Sequence, residues 1–208
     1  MTNFKKGIIA LTIINLIIHL SLTWLILTKG AAFDGKLIQL VSTLMIDSSN
    51  MAGLVVSYAL FVVFLFVLRM VFIKGADRIS EVAASFALDS MPSKQMIIEA
   101  DYNSGLITEE EYMTRKNTLQ REVYYYTDLR GTIKFISGNF LMGIFITGIS
   151  IIVGIVIGTK LHGEDLISAA GIYTPSIIVV GYFIQFTVLL ETIAVGIISV
   201  RSEGVAAV

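Results

Sequence analysis

The sequence predicts an all-α membrane protein: four transmembrane helices, with a cytoplasmic helical hairpin between the second and the third. Three observations predict it. The 208 residues are 55% hydrophobic and only 15% charged, with a mean hydropathy of +0.82, more apolar than an ordinary soluble domain. Four runs with little or no charge each exceed the roughly 18 residues that suggest a membrane helix. The polar residues are concentrated instead in Lys74–Asn139, which holds ten of the sixteen acidic and eight of the fifteen basic side chains. The chain thus divides into a first helix pair (1–73), a central loop (74–139) and a second helix pair (140–208).

The first span runs from about Gly7 to Leu27. At 1.5 Å per residue it reaches about 31 Å, enough to cross a hydrocarbon core. It is too long for the apolar segment of a signal peptide, and no small-residue cleavage site follows it, so it reads as a retained helix. Trp24 suits an interfacial position near its far end. The following connection contains Lys36–Met45, apolar on one side and suited to lie along a membrane surface. The second span covers about Met51–Ile73, with Arg69 one turn from its end and able to snorkel. The third covers about Phe140–Thr159. Its Gly154 and Gly158 form a GxxxG pair that permits close helix contact. The fourth covers about Ser176–Val200; Pro175 suits its first turn, where a missing N–H costs nothing. Arg201 closes it, and only seven residues remain.

Orientation follows from Lys and Arg. Eight lie in the central loop, Lys5 and Lys6 precede the first span, and Arg201 follows the last; the other two connections share Lys29, Lys36 and Lys160. The positive-inside rule places both termini and the loop in the cytoplasm. Within the loop, a helix is expected from Arg78 or Ser80 through Ala87, with Ile79, Val82 and Phe86 on one apolar stripe. Pro92 should break it. Thr108 with Glu111 forms a capping box, so a second helix should start at Glu109 and run to about Tyr126. Glu111 and Arg115 make an i,i+4 pair on it.

That loop carries a long motif, RISEVAASFALDSMPSKQMIIEADYNSGLI, from Arg78 to Ile107. It resembles the signature of the FHIPEP family, the large export-gate membrane proteins of flagellar and injectisome type III secretion systems. Arg78, Glu81, Val82, Ala84, Phe86, Leu88, Asp89, Met91, Pro92, Lys94, Gln95, Met96, Ile98, Asp101, Gly105 and Ile107 match in register. Ser93 stands for the usual Gly, and Glu99 for an Asp. KFISGN (134–139) and IVGIVIGTKLHGEDL (152–166) resemble further family segments, and 173–201 aligns without gaps. The resemblance covers the middle four of eight family helices. The family's outer helices and large C-terminal cytoplasmic domain find no counterpart in it. Several polar family positions also differ: two helix arginines fall at Asn15 and Trp24, an Asp at Val180, a Pro at Thr187, and loop or exit carboxylates at Arg130 and Asn139.

The resemblance implies a subunit of a proton-motive-force-linked protein export gate in the bacterial inner membrane. It also implies a homo-oligomeric ring, with other type III export membrane components and the lipid bilayer as partners. Arg78, Glu81, Asp89, Pro92, Lys94, Gln95, Glu99 and Asp101 would form its functional loop. On residue types alone these charges read as a solvated loop; by the resemblance, Asp89, Glu99 and Asp101 would exchange protons, with Lys94 holding one ionised. The lost polar positions favour the alternative of a non-transporting structural or assembly factor, or a degenerate remnant. Inside the membrane, Glu191 and His19 are the polar candidates: Glu191 is a carboxyl hydrogen-bonded within the bundle, for example to Thr187 or Thr192, or else a proton site or an inter-helix contact, with His19 its natural partner by depth. Catalytic motifs are lacking: no Ser/His/Asp set, HExxH or phosphate loop. Neither a cofactor nor a metal is implied. Net charge is −1 with no basic arm, so nucleic acid is not an expected partner.

Overall fold

The computed structural model describes residues 2–201, and side chains over 5–198. Six α-helices follow one another: α1 (Thr2–Lys29), α2 (Lys36–Met45), α3 (Met51–Val67), α4 (Lys74–Asn103), α5 (Glu109–Leu161) and α6 (Leu166–Arg201). A 3-10 turn, Gly30–Ala32, follows α1, and a π segment, Leu68–Ile73, joins α3 to α4 without a break. No strand occurs among the described residues. Four helices are long and apolar enough to cross a membrane: α1, the joined helix Met51–Asn103, α5 and α6.

The joined helix and α5 have 53 residues each. At 1.5 Å per residue that is about 80 Å, against about 30 Å for a hydrocarbon core. Each therefore has an apolar half that packs in the bundle and a polar half that extends beyond it. The two polar halves form a helical hairpin. Its turn is Ser104–Thr108, where Gly105 sits at φ 72°, a left-handed conformation that favours glycine. Thr108 then caps α5, its hydroxyl accepting from the Glu111 amide at 3.3 Å, and Arg115 bonds Glu111 at 2.8 Å. The Thr108 cap and the i,i+4 pair stand as the sequence predicts; of the capping box only this half forms among the described residues, the Glu111 carboxylate turning to Arg115.

α6 is the centre of the bundle. Of its most apolar window 56% is buried, against 28–33% in the other three. Ile177, Ile178, Val179, Val180 and Val188 are fully enclosed. Glycines on α5 let it approach closely: a Cβ at Gly154 would lie 2.7 Å from Tyr173 Cβ, and one at Gly158 2.6 Å from Ala169 Cβ. The GxxxG pair thus serves contact with α6. Phe61 packs edge-on against Tyr182 at 4.8 Å and seats α3 on the same helix.

Four local expectations fail. Pro92 does not end a helix; α4 runs through it to Asn103. Proline removes one backbone bond, but Ala84 and Ala87 before it are packed on α5, and Lys94 after it is tied to Glu122. The second loop helix likewise does not stop at Tyr126 but continues as α5. Pro175 is not at the start of α6 but inside it, because Asp165 caps the helix earlier, accepting from the Ile167 and Ser168 amides. The stripe Ile79, Val82, Phe86 faces outward, Phe86 being 72% exposed. α4 buries Ala76, Ser80, Ala83, Ala84 and Ala87 instead, since small side chains let two long helices approach. The side chain of Arg201 and residues 202–208 lie outside the described residues.

Candidate functional site

The signature occupies α4 and the hairpin turn, and α5 supplies its partners. Glu81 accepts from Arg130 at 2.8 Å. Lys94 bonds both oxygens of Glu122, at 2.9 and 3.0 Å. Asp101 accepts from Arg115 at 3.1 Å, and Arg115 also holds Glu111. The Glu81–Arg130, Lys94–Glu122 and Asp101–Arg115 pairs each join one antiparallel arm to the other. All are partly exposed, so each contributes about 0–1 kcal/mol; together they fix the register of the arms. At the tip, Tyr102 stacks on Tyr112 at 4.7 Å. At the base, Lys5 of α1 reaches Asp128 of α5 at 2.5 Å.

The cluster read from the sequence is therefore dispersed. Lys94 faces Glu122 on the opposite arm rather than Asp89, Glu99 or Asp101. Asp89 is exposed and takes part in no ion pair among the described residues, and the same holds for Arg78. Among the described residues Glu99 accepts only the Gln95 side-chain amide, at 2.9 Å. Pro92 is exposed on the hairpin surface.

A second polar feature crosses the bundle. Thr12, Asn15, His19 and Thr23 are all buried, and their spacing puts them on one face of α1. Thr12 donates to Glu191 at 3.2 Å. Asn15 donates to the Ile184 carbonyl at 3.4 Å, and His19 Nε2 meets the Thr147 hydroxyl at 3.3 Å. Gln185 donates to the Phe140 carbonyl at 3.2 Å. Four atoms along this seam have no partner among the described residues: His19 Nδ1, Thr23 Oγ1, Gln185 Oε1 and Glu191 Oε1. Such atoms are sites where buried water is expected.

Glu191 thus bonds neither Thr187 nor Thr192, whose hydroxyls return to the carbonyls of Phe183 and Val188. Nor does it meet His19, which lies two helical turns, about 10 Å, beyond Thr12 on α1. Sequence reading missed Thr12, Thr23, Gln185 and Thr147 as members of this seam. The signal was present, as four polar residues at helical spacing in an otherwise apolar span.

Outside the spans, two carboxylates cap helices or turns. The Ser49 hydroxyl and amide hold Asp47 below its ordinary range, and the Ser168 hydroxyl and amide do the same for Asp165. No three metal-ligating side chains come together among the described residues.

The profile of the FHIPEP family matches residues 1–207. The chain belongs to the FHIPEP family. Among curated relatives, the flagellar biosynthesis protein FlhA of Borreliella burgdorferi is 41% identical over 199 residues, 96% of this chain and 29% of its own length. FlhA of Treponema pallidum is 39% identical over 96% of this chain and 28% of its own length. FlhA of Bacillus subtilis is 38% identical over 97% and 29%. The chain spans less than a third of the length of these relatives. No solved structure matches it. Within the FHIPEP signature, the serine at 93 has a structural correlate. Serine is a better helix former than glycine, and α4 continues through Pro92 and Ser93.

Proposed function

We propose that this chain is a multi-pass component of a flagellar type III protein export apparatus in the bacterial inner membrane, a subunit of a proton-motive-force-linked gate. Membership of the FHIPEP family and relatives named flagellar biosynthesis proteins support the apparatus. The distribution of Lys and Arg supports both termini and the hairpin in the cytoplasm. The subunit works as a homo-oligomer with other export membrane components, embedded in lipid. Its task is movement of protein, without covalent chemistry.

One observation carries the proton-linked reading. Of the four signature carboxylates, Glu81 and Asp101 are engaged by Arg130 and Arg115, whereas Asp89 and Glu99 face no cation among the described residues. Neutralising those two would leave the cross-arm ion pairs of the hairpin in place. In a strain that depends on this chain, Asp89→Asn with Glu99→Gln should lower secretion while membrane insertion and complex formation persist. Normal secretion by that double variant would sink the assignment.

The cross-arm ion pairs favour a second reading, a structural or assembly factor whose signature holds a rigid hairpin. It predicts that Asp89→Asn with Glu99→Gln is silent, and that Glu81→Arg impairs complex formation.

A further inference from the structure

Arg69 is a basic residue of the membrane bundle, apart from the ion pairs of the hairpin. It sits in the π segment, a helical irregularity frequent at functional sites. Its guanidinium lies over the Phe140 ring, 5.9 Å from the centroid. Nη1 is withdrawn from solvent and has no hydrogen-bond partner, and no carboxylate pairs with it among the described residues. A guanidinium in this position, with a free donor, calls for an anion.

The surroundings indicate which anion. Arg69 stands at one end of an apolar cleft between α3 and α5, lined by Tyr58, Leu65, Phe66, Ile144, Gly148 and Ile151. Phe61 and Thr147 close its inner side, and behind them α6 approaches at Gly181, where a Cβ would lie 2.9 Å from Phe61 and 3.2 Å from Thr147. From Tyr58 to Arg69 the cleft follows eleven residues of helix, about 16 Å, half of a hydrocarbon core of about 30 Å. Its volume is about 270 Å³. A side-chain-bearing helix 10–12 Å across would need on the order of 1,000 Å³ over that length. The space suits one flexible hydrocarbon chain.

We infer that the α3–α5 cleft binds an anionic glycerophospholipid, with its phosphodiester on Arg69 and one acyl chain laid along the cleft to Tyr58. Charge complementarity commits the site to this occupant. One unpaired guanidinium balances one net negative headgroup, and basic pockets between membrane helices recruit such lipids. The guanidinium fork holds two phosphate oxygens at once, which an ammonium does not. Gly148 is half-buried in the wall, and no atom lies within 4 Å of where its Cβ would be. A side chain added there enters the lipid's space and not the protein's.

Native mass spectrometry of the full chain tests this, with dioleoylphosphatidylglycerol or dioleoylphosphatidylcholine added to the detergent micelle. The wild type should retain one phosphatidylglycerol in preference to phosphatidylcholine. Arg69→Gln should weaken retention about tenfold, as expected on losing a charge-assisted bond; Arg69→Lys should fall between. Gly148→Leu should abolish it with an unchanged unfolding temperature. If Gly148→Leu does not fold, the two Arg69 variants still decide. Equal retention by wild type, Arg69→Gln and Arg69→Lys would overturn the site, as would a wild type that keeps no lipid. Loss of a second copy or a protein partner in Gly148→Leu, with lipid retention unchanged, would show that a helix occupies the cleft and would also overturn it.

Discussion

Glu191 has one oxygen bonded to the Thr12 hydroxyl and one with no donor, so a single hydroxyl decides whether the carboxyl has any partner. Thr12→Val keeps the side-chain shape and removes that donor. A hydrogen bond inside a membrane bundle contributes about 0.5–2 kcal/mol, and the variant should lose about that much in detergent unfolding. Glu191→Leu should cost less, because the single Thr12 hydroxyl proton, shared between Glu191 and the Ile8 carbonyl at 2.9 Å, then passes wholly to Ile8. In the Glu191→Leu background, Thr12→Val should then be nearly silent. Equal costs in both backgrounds would disprove the contact. Asp165 gives a residue-scale effect outside the membrane. The Ser168 hydroxyl and amide lower its pKa from the ordinary 3.8, so the carboxylate form is the stabilised one. Its contribution is complete above 3.8 and is lost as pH falls through the lowered value in the folded protein. Asp165→Asn keeps an N-cap acceptor but has no proton to gain. Its unfolding temperature should fall less than that of the wild type as acid is added below 3.8; parallel acid profiles would contradict the cap.

At the scale of elements, the hairpin is defined by pairs that no single arm contains. Glu81→Arg would set two guanidinium groups against each other where Glu81 and Arg130 now lie 2.8 Å apart. For a partly exposed pair the loss is modest, about 0.2–1 kcal/mol, which appears as several-fold faster amide exchange in α4. Adding Arg130→Glu should restore the slow exchange by reversing the pair; a double variant no slower than Glu81→Arg would show that the arms are not registered this way. This dependence on a partner explains what was legible in the sequence. The cap at Thr108 and the Glu111–Arg115 pair are local, lying within one turn of one helix, and the residue spacing reveals them. Burial on α4 is not local. The large apolar side chains Ile79, Val82 and Phe86 face out because α5 approaches along the alanines, and nothing in α4 alone says from which side α5 comes. The same holds for Pro92, which is a helix breaker in isolation but is held in a helix anchored on both sides. The seam of Thr12, Asn15, His19 and Thr23 was legible by spacing, yet hydropathy averaged over the span hides four polar residues among many apolar ones.

At the scale of the whole molecule, the long helices separate two polar ends. The hairpin turn begins after Asn103 and the α5–α6 turn after Leu161, and the 53 residues of α5 between them cover about 80 Å. A membrane crossed by the apolar half of α5 must leave these turns on opposite faces, whichever way the chain is inserted. The charge pattern then chooses the direction. Eight Lys and Arg residues lie between Lys74 and Asn139, whereas the α5–α6 turn has Lys160 beside Glu164 and Asp165. Basic residues are retained on the cytoplasmic side, so a reporter fused at Ser104 should be cytoplasmic and one fused at Glu164 external. Both reporters on one side would mean that α5 does not span. A reversed pair would keep the bundle but invert the molecule, moving Asp89 and Glu99 to the other face of the membrane and ending the proposed gate role along with the orientation.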